Sequence, residues 1–142
     1  MSRKPDNHEC RCGSRSHDRG NRTDRYREPG PAKRVAEAMR LMRKRDPQTA
    51  EDGFHLLRPH AAEHVDELLH EFEQERADQG LRCWLLELIG EARSPAALPT
   101  LAAQSHSEDE SLRFWAIHGL ELLDTREART ALYRARANGT IP

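Results

Sequence analysis

The chain has 142 residues, a formal net charge of −1, and only 5% aromatic residues. That length favours one domain. The lack of any apolar run of about 18 residues argues against a membrane span, and the N-terminus shows no apolar segment of the secretory type. Three cysteines, an odd number, argue against a disulfide framework and for a reducing compartment, so a cytoplasmic location is expected. Arginine far outnumbers lysine, the codon signature of a GC-rich, bacterial genome.

The small net charge hides an asymmetry. Residues 1–45 carry 14 Lys/Arg and 6 Asp/Glu, whereas residues 46–142 carry 9 and 18. A basic arm precedes an acidic body. Residues 1–30 hold too few apolar side chains to offset the entropy of ordering, and a disordered arm over 1–30 before a folded domain over 31–142 is expected. Three readings of the arm compete: it lies on its own body, it is a solvated tail, or it meets nucleic acid. In the last reading Arg3, Lys4, Arg11, Arg15, Arg19, Arg22, Arg25 and Arg27 bind phosphates without sequence preference, and the basic stretch extends to residue 45. Within the arm, His8, Cys10, Cys12 and His17 supply two imidazoles and two thiols, a donor set suited to tetrahedral zinc. Cys10-Arg11-Cys12-Gly13-Ser14 resembles the opening of the small zinc motif that ends the bacterial export motor SecA. The closing ligand pair of that motif does not follow, because His17 comes too soon. The plainer reading is an arm that merely contains Cys and His, and no cofactor is expected.

From Pro31 to Arg45 the spacing predicts a basic helix whose thin apolar face, Val35, Met39 and Met42, caps one end of the body while its charges face water. Asp46-Pro47 marks a boundary, and Thr49-x-x-Asp52 is a capping signal. Ala50, Phe54, Leu56 and Leu57 form a short apolar face that ends at Arg58-Pro59. Ala61, Val65, Leu68, Leu69 and Phe72 then predict an amphipathic helix from His60 onward. On it His60, His64, Glu67 and Glu71 share a face, and two imidazoles with carboxylates can hold a metal. Glu67-x-x-His70 has the spacing of the carboxylate–histidine pair in di-iron bundles, but no copy occurs on another helix. Because Glu63, Asp66, Glu73 and Glu75 are neighbours, a solvated acidic face accounts for the pattern more simply.

Beyond this point the sequence repeats itself. Leu81-Arg82-Cys83-Trp84-Leu85-Leu86-Glu87-Leu88-Ile89 aligns with Leu112-Arg113-Phe114-Trp115-Ala116-Ile117-His118-Gly119-Leu120 at a constant offset of 31 residues. Ser94 falls on Thr125, Ala97 on Ala128 and Leu101 on Leu132. A fixed period in this range is the mark of stacked helical pairs, each too small to cover its own apolar stripe. Ser94 and Thr125 are N-caps for the second helices, and Ser107-x-x-Glu110 reads as a capping box between units. An offset of 33 aligns Val65 with Leu98 and Leu68 with Leu101, which makes residues 47–77 a divergent first unit. Trp84 and Trp115 either stack in the core, which their periodicity favours, or form an aromatic ladder on the binding face. Cys83 is expected as an inert half-buried thiol, and Arg82 and Arg113 as bridges between turns to carboxylates such as Asp78 and Asp109. Gly119 at the position of Leu88 predicts a closer helix approach.

These residues resemble the short HEAT repeat, the version named after phycobilisome lyases. Leu81, Arg82, Leu85, Leu86, Ile89 and Gly90 match its first helix, as do Leu112, Arg113, Ala116, Ile117, Gly119 and Leu120. Ser94-Pro95-Ala96-Ala97-Leu98-Pro99-Thr100-Leu101 matches the second. The resemblance implies an all-α fold, a short right-handed α-solenoid of about three helical pairs. The di-iron deoxyhypusine hydroxylases of this type carry His-Glu ligand pairs after the first-helix arginine. Cys83-Trp84 and Phe114-Trp115 stand there instead, so that activity does not carry over, and nothing among the residues implies a bilin. DNA glycosylases built of such repeats use a basic concave face, unlike this acidic body.

The expected function is therefore non-catalytic binding of a protein partner through the second helices, in an adaptor or immunity-type role. Glu63, Asp66, Glu67, His70 and Glu71, continued by Thr100, Gln104 and Arg134, form the expected surface. Its acidity implies a partner with a basic surface. Nucleic-acid association through the arm is the alternative, followed by a metal-dependent enzyme at His60 and His64. No membrane partner is expected.

Overall fold

The computed structural model describes residues 29–138. The expected disordered arm, its arginines and the His8/Cys10/Cys12/His17 cluster lie outside these residues, apart from Pro29 and Gly30. Seven α-helices and two 3-10 segments, with no strand, make up the described chain: α1 Pro31–Met42, α2 Pro47–Leu57, a 3-10 segment Arg58–His64, α3 Val65–Gln74, α4 Gln79–Glu91, a 3-10 turn Pro95–Ala97, α5 Leu98–Gln104, α6 Glu110–Leu123 and α7 Arg126–Ala137.

α1 starts at a proline, whose missing N–H costs nothing in the first turn. It ends at Met42 rather than Arg45. Val35, Ala38, Met39 and Met42 are buried, and α1 packs on α2 as expected of an end cap. The charges of α1 do not all face water, however: Arg34 is buried. Asp46, not Thr49, caps α2 by accepting from the Thr49 N–H at 3.0 Å. The helix expected from His60 starts later. Pro59 has no N–H to give to an α-helical ladder, and the chain runs as a 3-10 segment until His64 before α3 begins. This tighter winding breaks the shared face on which His60 was aligned with Glu67 and Glu71.

α4 packs beside α6 and α5 beside α7, while α5 and α7 both lie against α6. The 31-residue register extends to the punctuation. Asp78 caps α4 and Asp109 caps α6. Ser94 accepts from the Ala96 N–H and Thr125 from the Ala128 N–H. Arg93 and Asp124, which end the first helices, are both left-handed with φ of 50°. The core is continuous through Phe54, Leu57, Leu68, Phe72, Leu81, Leu85, Ile89, Leu101, Leu112, Ala116 and Leu120. A buried leucine or phenylalanine contributes roughly 1.5–3 kcal/mol, so this shared interior is what holds the units together. At the α4–α6 crossing, a Cβ on Gly90 would stand 2.9 Å from the Gly119 Cα, and one on Gly119 would stand 2.8 Å from Leu101 Cδ2. The expected close approach is therefore real, and it depends on two glycines rather than one.

Equivalent positions do not all have equivalent surroundings. Trp84 is fully buried and lies 5.2 Å from the Phe54 ring, whereas Trp115 is only half-buried and packs edge-on against Phe114 and His118. Units flank α4 on both sides; among the described residues α6 has a neighbouring unit on one side only. Arg82 does not pair with Asp78; its guanidinium lies over the Phe72 ring at 4.1 Å, a cation–π contact. Burial holds its pKa below the usual guanidinium value. Arg113 donates to the Ser107 carbonyl at 2.7 Å rather than to Asp109. Both aspartates serve as helix caps. Cys83 is fully buried, and burial pushes its thiol up to about 12.

Candidate protein-binding surface

The second helices α3, α5 and α7 carry the expected surface. On α3, Leu68 and Phe72 are buried, so Asp66, His70 and Glu73, spaced four and three apart, project together on the exposed side. On α7, burial of Ala128, Leu132 and Ala135 leaves Arg126, Thr130 and Arg134 exposed at intervals of four. Of the expected residues, Glu63, Asp66, Glu67, His70 and Arg134 are exposed, whereas Glu71 on α3 and Thr100 and Gln104 on α5 are half-buried. Glu73, Arg126 and Thr130 were not among the expected residues. Their polar periodicity along the two helices is the signal that would have found them.

Glu63, Glu67 and Glu71 are occupied within the chain. Glu63 accepts from the Arg34 Nη1 at 3.2 Å and lies 3.1 Å from His60 Nδ1; the hydrogen bond to His60, with Arg34 beside it, holds its carboxyl below the usual range. Glu67 lies 2.6 Å from Nδ1 of the buried His64, whose Nε2 is 3.0 Å from Arg34 Nη1. Only one tautomer satisfies both neighbours. Nδ1–H donates to the carboxylate, and Nε2 accepts from the guanidinium. Glu71 faces Arg43 at 3.7 Å, and Arg43 also donates to Glu75 at 2.7 Å. Glu75 accepts from the Asp78 and Ala77 N–H groups as well. These bonds, that from Asp78 foremost, hold its carboxyl below the usual range.

The metal arrangement drawn at His60 and His64 is not assembled. His64 is enclosed by Arg34 and Glu67, and among the described residues no group of three or more His, Cys, Asp or Glu is placed to hold a metal. No described helix is long and apolar enough to cross a membrane.

The expected acidity gives way to a gradient. α3 carries four carboxylates, Asp66, Glu67, Glu71 and Glu73, and no Lys or Arg. α5 carries no charge. α7 carries four arginines and one glutamate. Acid is concentrated at one edge of the surface and base at the other.

Residues 65–140, more than half of the chain, match the family described as HEAT repeats. No curated protein and no solved structure matches the chain. With helical pairs stacked at a 31-residue period and capped alike at each turn, the chain belongs to the HEAT-repeat family.

Proposed function

We propose that this protein is a non-catalytic scaffold that binds a protein partner across α3, α5 and α7, in an adaptor or immunity-type role. HEAT repeats commonly serve protein–protein interaction, which supports the class. The observation that carries the reading is the charge gradient: Asp66, His70 and Glu73 on α3, an uncharged α5, then Arg126 and Arg134 on α7. Such a surface selects a partner by orientation, with base opposite α3 and acid opposite α7. The odd number of cysteines and the buried thiol of Cys83 support a reducing compartment, which we take to be the cytoplasm.

The test is capture from the native cell by full-length protein and by the variant Asp66→Arg/Glu73→Arg, whose changes sit on exposed positions. A partner held by the first and lost by the second supports the reading. The same set of proteins on both overturns it.

A second reading, nucleic-acid association through residues 1–45, draws support from Lys33, Arg40, Lys44 and Arg45, all exposed at the start of the described chain. It requires affinity for RNA or DNA that falls steeply with salt and drops when the arginines of residues 1–30 are deleted.

A further inference from the structure

The two large apolar side chains most exposed among the described residues are Phe114 at 59% and Tyr133 at 72%. Their register explains them. Cys83, Leu86 and Gly90 form the side of α4 that α6 buries, and 31 residues later they become Phe114, Ile117 and Glu121. Leu98 and Ala102 on α5 and Ser105 at its C-cap become Arg129, Tyr133 and Arg136 on α7. Ser105 is fully buried, whereas its counterpart Arg136 is exposed. The face that one unit turns toward the next is thus filled on α4/α5. On α6/α7 no described residue covers it.

We infer that the α6/α7 face docks a second copy of this chain about a two-fold axis parallel to the two helices. Such an axis carries α6 of one copy over α7 of the other and keeps each residue at its own height. Counted at 1.5 Å per residue from the turn at Asp124-Thr125, Phe114 and Tyr133 lie within about 3 Å of one height. Glu121 and Arg129 lie within about 2 Å, and Glu110 and Arg136 within about 5 Å. The rotation therefore sets aromatic on aromatic at the centre and carboxylate on guanidinium toward both ends. The complementarity lies within one face, which is what an isologous contact requires. Arg129 already pairs with Asp124 at 2.9 Å, but that pair is exposed and leaves its remaining N–H groups to a partner.

The face is about 21 Å long, from 14 helical residues, and about 20 Å wide across two packed helices. That is a footprint of about 400 Å² per copy, about half the ~800 Å² per partner of a standard interface, so a weak, reversible dimer with a dissociation constant in the micromolar range is expected. This surface adjoins the exposed side of α3, α5 and α7 along α7, where Tyr133 follows Arg126 and Thr130 by seven and three residues, and it leaves the exposed side of α3 open.

Sedimentation velocity of the full chain between about 1 and 200 µM brackets that constant. The expected result is a reversible shift from 16.3 kDa to twice that mass. Phe114→Glu, at an exposed position, is expected to weaken the dimer about tenfold or more with unchanged helical content. Glu110→Lys and Arg136→Glu are each expected to weaken it, and their combination to recover much of the loss. A monomer across the whole range overturns the inference. So does a dimer indifferent to Phe114→Glu, or a double reversal no better than its single variants.

Discussion

Glu87 lies on α4 between the first unit and α6 and is only 6% exposed. No described residue donates a hydrogen bond to its carboxylate. Desolvation pushes its pKa from 4.5 up to about 7; Glu91 adds to the rise, and Arg58 opposes it. Between pH 4.5 and about 7 the folded chain holds a proton that the unfolded chain has released. Stability therefore falls as pH rises through that window, and the full penalty applies above it. At 1.36 kcal/mol per pH unit the penalty is about 3 kcal/mol. Glu87→Gln keeps the shape and cannot ionise. At pH 4.5 it is expected to match the parent. At pH 8 it is expected to be about 3 kcal/mol more stable, a rise in Tm of about 10 °C. Urea and thermal melts followed by circular dichroism at both pH values measure this. If the difference between variant and parent is the same at pH 4.5 and pH 8, the burial argument for Glu87 is wrong.

Gly90→Ala sets a Cβ against the Gly119 backbone, which cannot move aside as a side chain would, and is expected to cost about 1–3 kcal/mol in a urea melt. Arg34→Met leaves the buried His64 Nε2 without its donor and is expected to cost about 1–3 kcal/mol by the same assay. Glu75→Gln is expected to destabilise at neutral pH and to matter less in acid. The carboxylate is favoured in the folded state above its unfolded pKa, and that contribution is lost as pH falls through the depressed folded value. Cys83 is expected to resist alkylation at pH 8 in the native protein and to react in urea, as peptide mass mapping would show.

What could be read from the sequence followed the distinction between periodic and local signals. The 31-residue offset located four helices, two N-caps and the near-contact at Gly119, because packing faces and turns repeat together. Arg34 could not be read, since its burial depends on His64, thirty residues away, whose own burial follows from the 3-10 winding after Pro59. Alignment put Trp115 in the core because it matches Trp84; burial depends on neighbours, and among the described residues α6 lacks one that α4 has. The acidic surface was inferred from totals over residues 46–142. The structure sets four of those carboxylates on α3 and four of those arginines on α7, and composition holds no record of that placement.

The matched turns have a consequence for lengthening the molecule. A duplicate of residues 81–111 spliced before Leu112 would bring its own aspartate cap, left-handed arginine and serine cap, so the added backbone would need no new loop. The duplicate would, however, set its copy of Leu88 against Gly90, where Gly119 now stands. A leucine cannot occupy a gap that barely admits a Cβ. Growth by copying residues 81–111 is therefore blocked at the seam between units unless the copied Leu88 is changed along with the insertion.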